Sequence, residues 1–87
     1  MPEPYRVRVK PEAVRAYRRL HEPLLGRVEA VLNALAAEPR PPTAVRLVGR
    51  DDFRIRIGDY RIVYGIDDSA RVVIVARIAH RREVYRR

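Results

Sequence analysis

Apolar and polar residues alternate one by one over Tyr5-Arg6-Val7-Arg8-Val9 and again over Phe53-Arg54-Ile55-Arg56-Ile57, and between these stretches they recur at helical spacing. The period-two segments predict strands, because successive side chains of a strand point to opposite faces. Pro11 suits the first turn of a helix, where its missing N–H costs little, and Val14, Tyr17 and Leu20 continue a helix over 11–20. His21-Glu22-Pro23 breaks that helix and opens a second. Leu24, Val28, Val31 and Leu35, flanked by Leu25 and Leu32, line one face of it. Pro39, Pro41 and Pro42 end it, and Leu47 and Val48 in the following connection are expected to pack on the core.

Gly58-Asp59 has the composition of a two-residue hairpin turn, so 53–57 and 60–66 read as a β-hairpin. That turn pairs Ile57 with Tyr60, Arg56 with Arg61 and Ile55 with Ile62, and directs Tyr60 and Tyr64 to the core face. Asp67-Asp68-Ser69-Ala70 reads as a second turn, and the apolar run from Arg71 to Ala79 as a strand buried on both faces. The expectation is an α+β fold: an N-terminal strand, a helical hairpin, a three-stranded antiparallel meander, then a short C-terminal tail, in one domain over 1–87. If the second turn closes across four residues, Ile66 pairs with Arg71 and Arg61 lies opposite Ala76. His80, of the same parity as Ala76, is then expected on the face that carries Arg54, Arg56 and Arg61.

The hairpin register sets Arg56 beside Arg61. Like charges directly opposite on a sheet are destabilising, so the pair calls for an anion, and a polyphosphate backbone fits. Composition agrees: over 87 residues the formal net charge is +8 and the pI about 11.0. All but one of the 19 basic residues are Arg, the exception being Lys10. Arg grips phosphate bidentately as Lys cannot, although Arg-rich codon usage also produces such a ratio. A charged fraction of 34% beside 47% hydrophobic residues is a globular balance. The absence of cysteine excludes disulfides, thiolate nucleophiles and Cys-based metal sites. With neither a signal-like nor a membrane-length apolar run, a soluble cytoplasmic protein is expected, without a membrane partner. Asp51-Asp52 and Asp67-Asp68 read as turn chemistry; no metal, cofactor or small-molecule ligand is expected.

Three pieces together resemble the RelE/ParE superfamily of toxins: Phe53-Arg54-Ile55-Arg56-Ile57, the run Gly58-Asp59-Tyr60-Arg61-Ile62-Val63-Tyr64, and the ending His80-Arg81-Arg82-Glu83-Val84-Tyr85. The resemblance spans the chain and implies the toxin of a toxin–antitoxin pair, with the RelE-like order β-α-α-β-β-β and a cognate antitoxin as partner. RelE-like members cleave messenger RNA in the ribosomal A site, by attack of a 2′-hydroxyl that leaves a 2′,3′-cyclic phosphate. ParE-like members share the fold and poison DNA gyrase. The ending Arg-Glu-Val-Tyr resembles the RelE branch and places the ribonuclease, with ribosome and messenger RNA as partners, ahead of the gyrase inhibitor. By the same resemblance Arg61 matches the arginine set against the scissile phosphate, and Arg54 and Arg56 stand where other members carry lysines. Tyr85 matches a tyrosine that stacks on the cleaved nucleotide or acts as base, and Arg81 or Arg82 a basic residue near the leaving oxygen.

Cleavage through the 2′-hydroxyl needs in-line geometry, removal of a proton and stabilisation of developing charge. Arg56 and Arg61 answer the charge requirement best; Arg54 also suits a plain role in discouraging edge pairing. His80 is a candidate base, since histidine is the side-chain type that titrates near neutrality, and it equally suits a structural strand end. The aromatic face of Tyr85 suits stacking on an unpaired base, or pinning the tail to the sheet. Arg81 and Arg82 read as charge stabilisers, since arginine does not give up its proton readily. A nucleic-acid-binding module without catalysis is a third reading.

Overall fold

In the computed structural model, which describes residues 3–49 and 51–84, the two period-two segments are strands. β1 is Arg6–Val9, α1 Pro11–Tyr17, α2 Leu24–Ala37, β2 Val45–Arg46, β3 Phe53–Ile57, β4 Tyr60–Asp67, β5 Val72–His80 and α3 Arg81–Val84. The strands form one five-stranded sheet in the order β1-β5-β4-β3-β2. β1 joins β5 in parallel and all other pairs are antiparallel. The α+β order expected from the pattern is present, with β2 and α3 added to it.

Both helices cover one face of the sheet. Ala13 and Leu20 from the α1 segment and Val28 and Leu35 from α2 share one buried cluster with Ile55, Ile57, Ile62, Tyr64, Val73, Val75 and Ile78. α1 starts with Pro11 and carries Glu12 in its first turn and Arg15 in its last, both favourable to the helix dipole. It ends at Tyr17 rather than Leu20. The N–H groups of Arg19 and Leu20 donate to the carbonyls three residues earlier (3.1 Å each), a tightened turn that still delivers Leu20 to the core. The first turn of α2 is capped by Glu22, whose Oε1 accepts from the Gly26 N–H at 2.9 Å. α2 stops where Glu38, constrained by the following Pro39, turns extended.

Tyr64 anchors the core beneath α2: it is fully buried, its hydroxyl donates to the Pro39 carbonyl at 2.8 Å, and its ring stacks on Phe53. Leu47 is half-buried, but Val48 is 99% exposed, contrary to expectation. β2 is only two residues long, and the chain then leaves the sheet through Gly49 at φ 72°. The Leu47 N–H closes that loop on the Asp52 carbonyl at 2.9 Å.

The β3–β4 register is the expected one, with Ile57 on Tyr60, Arg56 on Arg61 and Ile55 on Ile62. The β4–β5 register is not: Ile66 pairs with Val73 rather than Arg71, and Arg61 with Ala79 rather than Ala76. Two local causes account for it. Asp67 Oδ1 accepts from the Ala70 N–H at 3.0 Å, and Arg71 adopts φ 54°, so the turn occupies 68–71, one residue later than expected. Further along, the pairing passes from Tyr64↔Val75 to Val63↔Arg77, leaving Ala76 as the extra residue of a β-bulge. Before the bulge even-numbered β5 residues face away from the helices, as expected; after it the odd-numbered ones do.

At the sheet end remote from Gly58, Asp68 gathers the chain. It accepts from the Tyr5 hydroxyl at 2.6 Å and takes both arms of Arg40 at 3.2 and 2.9 Å, while Arg71 lies over the Tyr5 ring at 4.5 Å. The Arg40 and Tyr5 hydrogen bonds hold the Asp68 carboxyl down at about 2. The same bond pushes the Tyr5 phenol up, and burial pushes Tyr64 up to about 12. Asp51 is engaged by Arg46 at 2.8 Å. Among the described residues no three acidic or histidine side chains gather as metal ligands, and no helix is long and apolar enough to cross a membrane.

Candidate anion-binding site

The sheet face turned away from the helices carries the arginines. Cross-strand partners share a face, so the rows Arg56–Arg61–Ala79 and Val45–Arg54–Val63–Arg77 both lie on it. Arg6 and Arg8, paired with Val72 and Ile74, continue it on β1. Val63, Val72 and Ala79 are buried yet stand outside the helix-side cluster. Long arginine stems laid along such small apolar side chains shield them while leaving the guanidinium groups at the surface.

Arg61 is the exception in depth. It is only 4% exposed, while its neighbour Arg56 is exposed and Arg54 half-buried. A buried guanidinium beside a second one is costly for the fold, and a bound anion offsets that cost. Among the described residues no carboxylate forms an ion pair with Arg54 or Arg56, and the buried Nε of Arg54 has no hydrogen-bond acceptor there. The arrangement can hold a phosphate against two or three guanidinium forks.

The start of the tail is tied to the same hairpin. The Arg81 N–H donates to the Asp59 carbonyl at 2.6 Å, and its guanidinium reaches the Asp59 carboxylate at 3.9 Å. α3 therefore begins directly over the Gly58-Asp59 turn, and the exposed Arg81 and Arg82 border a cleft with Asp59 and His80. His80 departs from expectation. It pairs with Tyr60 and meets that ring edge-on at 5.4 Å, on the helix side of the sheet and not with the arginines. The Ala76 bulge is the reason, since it reverses the parity of everything after it. The Arg82 N–H donates to His80 Nδ1 at 3.2 Å. Tyr85 lies outside the described residues.

The structure thus brings Arg54, Arg56 and Arg61 together, sets Arg81 and Arg82 at the adjoining rim and turns His80 away. It also adds Arg77, which the alternation alone did not assign to this face. The signal was present as a conflict: with strict period two after Val73 and Val75, Arg77 would enter the core and Ile78 leave it. A one-residue bulge resolves both.

The chain matches the family described as ParE toxin of type II toxin–antitoxin system, parDE, over residues 5–85. It is 36% identical over 86 residues to Toxin RelG of Mycobacterium tuberculosis, covering 97% of this chain and 99% of that one. Among solved structures, the toxin–antitoxin complex RelBE2 of M. tuberculosis superposes with a TM-score of 0.76 at 31% identity, over 88% of this chain and 98% of that one. The isolated RelE toxin of E. coli shares the fold, with a TM-score of 0.78 at 24% identity over 87% of this chain and 83% of that one. With family, curated relative and fold in agreement, this chain belongs to the RelE/ParE superfamily, the toxins of type II toxin–antitoxin systems.

Proposed function

We propose that this chain acts as a RelE-like, ribosome-dependent endoribonuclease in the cytoplasm, a single toxin domain that cuts messenger RNA in the A site. The observation that carries the reading is the Arg56–Arg61 pair, with Arg61 buried to 4% exposure and the tail tied over the same turn through Arg81 and Asp59. Arg61 and Arg56 hold the scissile phosphate, and Arg54 the chain beside it. The 2′-oxygen forms a bond to phosphorus as the bond to the 5′-oxygen breaks, giving a 2′,3′-cyclic phosphate. The 2′-hydroxyl proton goes to a base and the 5′-oxygen takes one from water, while the arginines stabilise the extra charge of the phosphorane. Arg81 and Arg82 flank the leaving oxygen.

Proton removal falls to the tail, with Tyr85 as the group. His80 Nδ1 accepts from the Arg82 N–H, and its ring faces the helix side. His80 is thereby a positioning residue for the start of α3. A cognate antitoxin is the expected partner, by analogy with the M. tuberculosis RelBE2 toxin–antitoxin complex. An acidic antitoxin segment over Arg56 and Arg61 would neutralise them and block the phosphate site together.

The ParE description of the matched family favours a second reading, inhibition of DNA gyrase without nuclease activity. Induced expression of the wild type and of Arg61→Ala separates the two. Messenger RNA cleavage and growth arrest that both disappear with Arg61→Ala are expected. Gyrase-dependent DNA breaks with intact messenger RNA would establish the alternative.

A further inference from the structure

Among the described residues no strand lies beside the edge of β5 beyond Val9↔Val75; the Lys10 N–H bonds the Val75 carbonyl at 2.9 Å and the chain turns into α1, which packs along the rest of β5. Between α1 and β5 lies a cleft lined by Arg15, Arg19, Arg77, Glu12 and Ala79. Arg15 in α1 and Arg19 in the tightened turn that follows it both reach this cleft, where like charges repel. Arg15 alone is explained by the helix dipole; its convergence with Arg19 and with Arg77 from another element is not. Among the described lining residues the opposing carboxylate is Glu12, which holds Arg77 loosely at 3.8 Å with both side chains well exposed.

The cleft adjoins the site already described. Ala79 lines it and is the cross-strand partner of Arg61. At 5% exposure, with only a methyl group, Ala79 raises no barrier between the two. Arg77 stands in the row of Arg54, one strand beyond Val63, because the bulge turned it outward.

We propose that Arg77, Arg15 and Arg19 form a second phosphate subsite, which takes backbone phosphates of the same single-stranded RNA that Arg56 and Arg61 hold. The inference rests on the nuclease reading for the identity of the ligand, and it adds a direction: the strand runs from the β3–β4 hairpin across Ala79 towards α1. Glu12 weakens the subsite and sets its affinity.

The test uses the full chain and fluorescently labelled RNA made entirely of 2′-O-methyl nucleotides, which cannot be cut. Wild type should bind an oligonucleotide of a dozen residues more tightly than a dinucleotide. Arg15→Ala/Arg19→Ala should weaken binding of the long oligonucleotide about tenfold. It should also flatten the log–log salt dependence by about 1.4, the loss of two single-strand phosphate contacts at ~0.7 each. Dinucleotide binding should be unchanged. Arg77→Gln should act in the same direction and Glu12→Gln should tighten long-RNA binding several-fold, with thermal melts reporting that each variant is folded. Equal losses for both RNA lengths, or an unchanged salt slope, would overturn the subsite. So would loss of pelleting with vacant ribosomes while oligonucleotide binding is intact, which would assign the cleft to ribosomal RNA. A wild type that cleaves nothing in a translation reaction, yet shows the expected variant effects on binding, would refute the nuclease reading and leave the subsite standing.

Discussion

Reversing the charge of Arg56 should make the protein more stable and useless as a nuclease at the same time. Arg56 and Arg61 are direct cross-strand partners on one face. A pair of like charges there costs a few tenths to about 1 kcal/mol, and an opposite pair contributes a similar amount. Arg56→Glu changes the first into the second, a swing of ~0.4–2 kcal/mol. Arg56 is exposed, and solvent screening places the outcome in the lower half, about 0.5–1 kcal/mol. For a chain of this size that raises Tm by about 2–8 °C. Arg56→Gln removes the repulsion without adding attraction and should give about half the gain. Thermal denaturation followed by circular dichroism is the assay, repeated between low and high salt. The advantage of Arg56→Glu over wild type should shrink as salt screens both the repulsion and the attraction. A lower Tm for Arg56→Glu, or an advantage that salt leaves untouched, would refute the argument that the pair is kept at the fold's expense.

Other consequences are structural. Asp68 has a folded value near 2, below its unfolded one, so the Tyr5–Asp68–Arg40 clasp contributes stability above the ordinary carboxylate range and loses it as pH falls towards 2. Asp68→Asn should therefore lower Tm at pH 7, with the gap to wild type closing in strong acid. Tyr64→Phe leaves the Pro39 carbonyl without its donor and should cost about 1 kcal/mol in urea unfolding. In the wild type, ultraviolet titration should show one tyrosine ionising only near 12, the value to which burial raises Tyr64. Deleting Ala76 should leave a cooperative melt, because Arg77 then follows Val75 directly and plain alternation keeps Arg77 outside and Ile78 in the core, whereas loss of the melt would refute the bulge.

How much of this was written in the residues depends on range. Gly58-Asp59 defines the hairpin by local turn chemistry, so the Arg56–Arg61 pair was legible without any structure. Both helices and the core positions Val28, Leu35 and Tyr64 followed from period and punctuation. The β4–β5 register was not legible in the same way. It depends on Asp67 capping its own turn, on a left-handed Arg71 and on an extra residue at Ala76, and alternation has no memory of an insertion. One misplaced residue sent His80 to the wrong face and hid Arg77. Val48 failed for another reason: a two-residue β2 ends before it, and no neighbouring element covers its side chain.

The central claim is that the Arg56–Arg61 face performs RNA chemistry, and end-group analysis tests it most directly. Ribosomes stalled on a defined message with an empty A site are mixed with the wild-type chain or with Arg61→Ala, and the RNA ends are examined. The wild type should make a single cut in the A-site codon, leaving a 2′,3′-cyclic phosphate and a 5′-hydroxyl, with the rate falling at least about a hundredfold in Arg61→Ala. An uncut message, or equal cleavage by both proteins, would contradict it.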